Sequence, residues 1–168
     1  VVRNSITPML AEHIASQIYE NFAFEPTPAQ KNAIERLGGF LCGDAQDRIF
    51  ILNGYAGTGK TSLIAALVKT LSGLRVRTIL LAPTGRAAKV MSRYAGAKAY
   101  TIHKKIYRQK SLASEDVSFS LDYNKEKGAV FIVDEASMLS NYSSDGSIFG
   151  SGQLLEDLIA YIRKGCDC

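Results

Sequence analysis

A chain of 168 residues is long enough for one domain with a substantial hydrophobic core and too short for two α/β domains of ordinary size. With 46% hydrophobic and 21% charged residues, its composition is that of a globular protein and excludes a disordered or fibrous one. Its apolar stretches fall far short of the roughly 20 residues that span a bilayer, so no membrane partner is expected. The absence of a secretory signal and an odd cysteine count favour the reducing cytoplasm.

The net charge of +4 is modest, but it is unevenly distributed. All 16 acidic residues lie in 1–47 or 115–168. The 67 residues of 48–114 therefore contain 13 of the 20 lysines and arginines and no carboxylate. Such a segment creates a local positive field, which favours an anionic partner.

The first predicted elements are helical. Apolar residues at helix-like spacing over 6–19 predict a lead-in helix, and the same spacing resumes over 29–41 after the interruption at 25–28. The rest of the chain alternates strands with helices. Apolar runs predict buried strands over 49–53, 76–82 and 129–133, and helical patterns fall on 60–71, 85–94 and 153–163, with a short helix or turn at 101–107.

This alternation implies parallel β-α-β crossovers and hence an α/β fold with a parallel sheet sandwiched by helices. The segment 109–127 is more polar and is expected to be an insertion. Within it, Val117, Phe119 and Leu121 alternate as in a hairpin strand.

A glycine-rich loop lies between the first predicted strand and the helix that follows it. Residues 54–61 read Gly-Tyr-Ala-Gly-Thr-Gly-Lys-Thr and satisfy the P-loop pattern G-x-x-x-x-G-K-[ST]. Glycines allow several backbone N–H groups to converge on phosphates, and the helix N-terminus adds its dipole. Lys60 is predicted to bind the β- and γ-phosphates, and Thr61 to bind Mg²⁺. The predicted nucleotide-binding residues of the loop are Gly54, Ala56, Gly57, Thr58, Gly59, Lys60, Thr61 and Ser62.

An acidic pair ends the third predicted strand. Buried strands do not carry adjacent carboxylates without a reason, because each charge must be solvated or paired. At the carboxyl end of a strand, Asp134 and Glu135 point into the crevice where α/β proteins bind ligands. We therefore predict Asp134 as a Mg²⁺ ligand and Glu135 as the general base that polarises the attacking water, with Lys60 as their catalytic partner.

Five segments resemble helicase motifs. Residues 24–30 resemble the Q-motif, 54–61 motif I, 81–88 motif Ia, 101–103 the DNA-contact motif that follows, and 133–138 motif II. Together they are similar to the RecD and Dda branch of superfamily 1 DNA helicases. The resemblance implies a helical lead-in over 1–23 and a partial RecA-like motor domain over 24–168. It also implies ATP and Mg²⁺ as cofactors, and movement 5′ to 3′ along single-stranded DNA.

The resemblance also assigns roles to individual residues. Gln30 would read the adenine edge, and the predicted DNA contacts are Pro83, Thr84, Arg86, His103 and Lys104. The basic run of this region independently suits phosphate tracking with base stacking, although basic residues on a helix are more often simply solvated. That run consists of Arg86, Lys89, Arg93, Lys98, Lys104, Lys105, Arg108 and Lys110, with Tyr94, Tyr100 and Tyr107 interleaved.

In the family that the chain resembles, the sequence continues past the position of Cys168 into the motif III strand and a second motor domain. That domain is the partner expected in cis, and it carries the arginine finger. The motif III strand lies between the P-loop strand and the Asp134 strand in the family's sheet. Residues 1–168 alone are therefore expected to self-associate through exposed strand edges, to be loosely folded, or to be the ordered part of a longer chain.

Two other functions stay open at this stage. A P-loop kinase would need an arginine-rich lid, and 108–128 contains only Arg108. A non-catalytic nucleotide switch would not need Glu135 beside Asp134.

Overall fold

The computed structural model describes residues 3–43, 48–109, 119–139 and 149–165. The chain divides into two compact units. The first unit is Val1–Arg75 with Tyr94–Gly96, and the second unit is Val76–Arg93 with Ala97–Cys168. Within the described ranges, every helix is too short or too polar to cross a membrane.

The three helices predicted for the first unit are formed. Its helices are α1 (Arg3–Glu20), α2 (Pro28–Cys42) and α3 (Lys60–Gly73). Helix α2 begins at a reciprocal capping box, in which Thr27 Oγ1 accepts a hydrogen bond from Gln30 N at 3.3 Å and Gln30 Oε1 accepts one from Thr27 N at 2.8 Å. Pro28 fits the first turn because a proline there loses no helical hydrogen bond.

Helix α1 packs against both α2 and α3. The side chains of Ile18, Ile34 and Leu71 are fully buried. Buried Thr70 is satisfied by donating from Oγ1 to Gln17 O at 3.1 Å and accepting from Asn21 Nδ2 at 3.0 Å. The lead-in helix is thus part of the core of the first unit.

The strand predicted over 49–53 is not formed, so that prediction was wrong. These residues have no regular secondary structure, and the side chains of Ile49 and Ile51 are 63% and 77% exposed. An apolar run becomes a buried strand only if neighbouring strands supply its backbone partners, and no strand within the described residues pairs with this segment.

The second unit contains a parallel sheet of three strands, which confirms the predicted α/β fold class. The strands β1 (Thr78–Ala82), β2 (Ala99–Thr101) and β5 (Val130–Val133) lie in the order β2-β1-β5, and β1 is parallel to both neighbours. Helix α4 (Gly85–Ala95) connects β1 to β2, and α5 (Ile102–Ile106) follows β2 directly. Helix α6 (Leu154–Arg163) follows later in the chain.

A second, antiparallel sheet lies between β2 and β5 in sequence. It pairs β3 (Tyr107–Gln109) with β4 (Phe119–Leu121), which confirms the hairpin strand predicted from Phe119 and Leu121. Val117 and Lys110 lie outside the described residues. The ring of Phe119 stacks on that of Phe149 with centroids 4.6 Å apart.

One hydrophobic core joins the parallel sheet to α5 and α6. Leu81, Ile102 and Ile106 are fully buried, and Leu158 and Tyr161 of α6 are nearly so. The edge of this core is polar but satisfied, because the hydroxyl of Tyr107 donates to Asp157 Oδ2 at 2.6 Å. Burial and this hydrogen bond raise the pKa of Tyr107.

A buried carboxylate lies beside the parallel sheet. Glu126 is 7% exposed and accepts a hydrogen bond from Lys105 Nζ at 2.5 Å, while Arg77 pairs with its other oxygen. Burial alone would raise the pKa of Glu126, but the hydrogen bond and charge of Lys105, together with Arg77, hold it below the ordinary value. Residues 48–114 contain no carboxylate. Arg77 and Lys105 therefore pair with Glu126, which lies later in the chain.

The close approach of α1 and α2 depends on one glycine. A Cβ added at Gly38 would lie 2.4 Å from Ala11 O, whereas a Cβ at Gly39 would meet no atom within 4 Å. We expect Gly38→Ala to lower the free energy of unfolding by about 1–3 kcal/mol through overpacking. Gly39→Ala, the matched control in the same helix, should raise it by about 0.5–1 kcal/mol. Urea denaturation checks both, and equal effects of the two substitutions would contradict the close α1–α2 contact.

The Glu126 ion pairs should give the stability a pH dependence. Because the folded pKa is lowered, ionised Glu126 stabilises the fold above its ordinary pKa of 4.5, and this stabilisation is lost as the pH falls through the lowered value. At neutral pH, Glu126→Gln should cost about 1–3 kcal/mol of unfolding free energy. The difference from the parent should shrink below pH 4.5. Glu156→Gln, at an exposed carboxylate, is the control, and a difference that is constant with pH would refute the assignment.

Candidate functional site

The glycine-rich loop of the first unit is open to solvent. Gly57 and Gly59 have φ angles of 77° and 81°, in the left-handed region that favours glycine. A Cβ at Gly54 would lie 2.7 Å from Thr58 Oγ1, which itself donates to Tyr55 O at 2.8 Å. Glycine is thus required at 57 and 59 by the backbone angles, and at 54 by the close approach of Thr58.

The side chain of Lys60 closes the loop from its helical end. Lys60 Nζ donates to Gly54 O at 2.6 Å and to Tyr55 O at 2.8 Å. Helix α3 starts at Lys60, and Leu63 N donates to Gly59 O at 3.0 Å. Helical geometry leaves the N–H groups before Leu63 without an intrahelical partner.

The loop and helix start therefore fit an anionic phosphate group. Backbone N–H groups, the positive end of the helix dipole and an ammonium group are concentrated at one exposed place. Thr61, predicted to bind Mg²⁺, is exposed in the first turn of α3, and Ser62 follows it. To bind a phosphate, the ammonium group of Lys60 would replace its hydrogen bonds to the loop carbonyls with hydrogen bonds to phosphate oxygens.

The structure brings Gln30 to the loop. Gln30 Nε2 donates to Thr58 O at 3.0 Å, and a Cβ at Gly59 would lie 2.3 Å from the same nitrogen. Both ends of this amide are engaged, since its oxygen accepts from Thr27 N in the capping box. The sequence did not predict the contact between Gln30 and Thr58. Only the capping box has a recognisable signal, which is the spacing T-x-x-Q from Thr27 to Gln30.

The acidic pair lies in the second unit, directly after β5. Asp134 N donates to Leu81 O at 3.0 Å, which extends the pairing of β5 with β1 by one residue. Asp134 is half-buried and accepts a hydrogen bond at Oδ1 from Glu135 N at 2.9 Å. Glu135 is exposed and has a φ angle of 54°, an uncommon conformation for a non-glycine residue. Backbone strain of this kind clusters at functional sites.

The predicted DNA contacts share a sheet edge with this pair. In the register of the parallel sheet, Leu81 lies beside Val133 and Ala82 beside Thr101, so the three strands end together. Residues 83–86, 103–104 and 134–135 all follow these carboxyl ends. The sheet therefore collects three sets of predicted functional residues at one edge of the second unit.

Two helix starts present the predicted DNA contacts. Thr84 Oγ1 accepts from Ala87 N at 3.2 Å before α4, and Thr101 Oγ1 accepts from Lys104 N at 3.3 Å before α5. Arg86 and Lys104 are exposed. Pro83, also predicted to contact DNA, is half-buried.

His103 differs from the other predicted contacts. It is half-buried, with its ring edge-on to Phe149 at 5.1 Å, and burial lowers its pKa. Burial therefore favours the uncharged form of its imidazole.

The residues of the basic run differ in their ion pairing. Lys105 pairs with Glu126, and Arg108 Nε lies 3.8 Å from Asp122 Oδ1. In contrast, five basic residues of the run form no ion pair within the described parts of the chain and are exposed. They are Arg86, Lys89, Arg93, Lys98 and Lys104.

No group of three or more histidine, cysteine, aspartate or glutamate side chains could hold a metal within the described residues. A metal here would therefore depend on few protein ligands, as Mg²⁺ does when it is bound together with phosphates. Of the two predicted ligands, Thr61 belongs to the first unit and Asp134 to the second.

The parallel sheet with its helices and the glycine-rich loop that starts α3 define a RecA-like P-loop NTPase. Residues 26–146 match the family model described as an AAA domain, and the chain belongs to that family.

Similar proteins include three with curated names. The conjugation protein TraI of Escherichia coli is 29% identical over 147 residues, which is 83% of this chain and 7% of TraI. The DNA helicase Dda of phage T4 is 38% identical over 90 residues, 52% of this chain and 20% of Dda. The RecD2 DNA helicase of Deinococcus radiodurans is 33% identical over 79 residues, 47% of this chain and 11% of RecD2. The resemblance to the RecD and Dda branch is confirmed, and the chain spans a fifth or less of each of these relatives.

The strained conformation of Glu135 predicts that glycine at this position stabilises the fold. Glu135→Gly should raise the free energy of unfolding by up to about 1 kcal/mol, because glycine adopts positive φ without the steric cost. Glu12→Gly, at an exposed position inside α1, should lower it by about 1 kcal/mol. Thermal and urea unfolding check both variants. Destabilisation by Glu135→Gly as large as that by Glu12→Gly would show that this backbone is not strained.

Proposed function

We propose that this chain is the nucleotide-binding motor domain of a DNA helicase, which couples ATP hydrolysis to movement along single-stranded DNA. The observation that carries the proposal is the common sheet edge. There the acidic pair after β5 lies on the same three-stranded sheet as the predicted DNA contacts after β1 and β2. The direction 5′ to 3′ rests on the resemblance to RecD and Dda. The cysteine usage favours action in the cytoplasm.

At the nucleotide end, the loop N–H groups and Lys60 would bind the phosphates, and Gln30 would contact the adenine while it supports the loop through Thr58. Thr61 and Asp134 would hold Mg²⁺, which neutralises charge on the phosphates when it is bound. Glu135 would accept the proton of the attacking water. Its exposed position after β5 supports that role, since a general base must reach solvent.

At the DNA end, the two helix starts would bind phosphates of the strand. The N–H groups at the start of α4 and the guanidinium of Arg86 suit a phosphate contact, as does the ammonium of Lys104. His103, beside Phe149, suits contact with a sugar or base.

Coupling between the predicted nucleotide site and the predicted DNA contacts would pass through β1. The bond from Asp134 N to Leu81 O connects the acidic pair to the strand that leads directly into Thr84. We therefore propose this hydrogen bond and β1 as the structural link between the acidic pair and the start of α4.

Efficient ATP hydrolysis would require a second motor domain. The resemblance places the arginine finger there, and such an arginine contributes about 10³–10⁵ in rate. We therefore expect residues 1–168 alone to bind nucleotide weakly and to turn it over very slowly. The exposed side chains of Ile49 and Ile51 support self-association of this segment when it is isolated.

The test is ATP hydrolysis by the full-length protein with and without single-stranded DNA. We expect stimulation by DNA, and both Lys60→Ala and Glu135→Gln should abolish it, with losses of about 10²–10⁴ for the general base. Lys69→Ala, in the same helix as Lys60, and Glu156→Gln, in the same unit as Glu135, are the matched controls.

The outcomes separate the three functions. Turnover that is indifferent to DNA would indicate a small-molecule kinase instead. Nucleotide binding without turnover in the full-length protein would indicate a switch.

A further inference from the structure

A second basic surface lies beside the predicted DNA contacts. It is an open groove of about 380 Å³ in the second unit, between α4 on one side and β2 with the start of α5 on the other. The groove is lined by Lys89, Arg93, Lys98, Lys104, Tyr100 and Ser92, together with small residues and Thr101. None of the described lining residues carries a carboxylate.

The α4 wall is formed by one helix face. Gly85, Ala88, Lys89, Ser92 and Arg93 follow the spacing i, i+3, i+4, i+7, i+8. Small residues on this face keep the groove open, and the two basic residues stand one turn apart, about 6 Å along the helix. Both are exposed and form no ion pair within the described residues.

The opposite wall carries two more cations, Lys98 and Lys104. Lys98 Nζ lies 5.1 Å from the ring centroid of Tyr100, which also lines the groove. Such contacts hold an ammonium group in place without neutralising it. Lys98 therefore remains available to an anion at the groove.

The groove has a direction that follows from the sheet. Gly85, Thr101 and Lys104 lie at the carboxyl edge, where β1 and β2 end, while Lys98 precedes β2 at the opposite edge. Arg93, in the last turn of α4, is also far from the carboxyl edge. From Gly85 to Arg93 the helix advances about 12 Å. This length is enough for more than one phosphate of a single strand.

We infer that this groove is an extension of the DNA-binding surface, which leads a single strand from the carboxyl edge along α4 and β2 by binding its phosphates. The inference rests on the proposed function, since it takes DNA as the ligand of the second unit. It adds three cations with defined positions, Lys89, Arg93 and Lys98, to the predicted contact Lys104.

The test compares two oligothymidylates with the full-length protein by fluorescence anisotropy, at several salt concentrations. One is about 4 nucleotides long and reaches only the carboxyl edge, and the other is about 16 and reaches the groove. The variant Lys89→Gln with Arg93→Gln removes two groove cations. Glutamine keeps the helix propensity, so folding is preserved, and the thermal midpoint checks this. The control is Arg36→Gln with Lys69→Gln, which removes the same charge from exposed positions of α2 and α3.

We expect the groove variant to bind the longer oligonucleotide roughly ten-fold more weakly at 0.1 M salt, and its slope of log K against log salt to fall by about 1.4. Affinity for the shorter one should stay at the parent level, and the control should keep the parent slope. A groove variant indistinguishable from the control would overturn the inference. An equal loss with both lengths would also overturn it, because that would indicate a general field and not an extended path.

Arg86→Gln separates this inference from the proposed function. If that substitution weakens binding of both oligonucleotides while the groove variant matches the control, the function stands and the groove fails. If the parent protein binds neither oligonucleotide, both fail.

Discussion

Parallel backbone pairing of β1 with β2 and β5 is the constraint on which the second unit depends. It aligns three strand ends, so residues that are about 50 apart in sequence follow the same edge of one sheet. Leu81 contributes twice, since its side chain lies in the core and its carbonyl accepts the N–H of Asp134. Without this register, the acidic pair and the predicted DNA contacts would have no common frame.

In the first unit, side-chain hydrogen bonds and backbone angles fix the conformation of an exposed loop. Gln30 Nε2 and Lys60 Nζ bond to carbonyls of the loop, and positive φ angles at Gly57 and Gly59 set its turns. The loop N–H groups are thereby oriented before any ligand arrives, and preorganisation of this kind lowers the cost of binding. The capping box at Thr27 thus acts on the loop through one shared side chain.

Local patterns predicted much of this fold. The helices and the strands β1 and β5 follow from periodicity and apolar runs, because those elements find their partners within the described chain. The run at 49–53 has the same pattern and forms no strand, since pairing depends on neighbours that a local pattern does not reveal. The partnership of Lys105 with Glu126 was also hidden, as the two lie 21 residues apart. Spacing predicted the loop itself, while its contact with Gln30 required the packing of α2 to be known.

We expect the backbone amides of the glycine-rich loop to bind a triphosphate, and amide hydrogen exchange measures this binding directly. With saturating Mg²⁺ and a non-hydrolysable ATP analogue, exchange at the N–H groups of 56–62 should become slower, and this protection should be lost in Lys60→Ala. Unchanged exchange over 56–62 at saturation, with protection elsewhere in the chain, would contradict it.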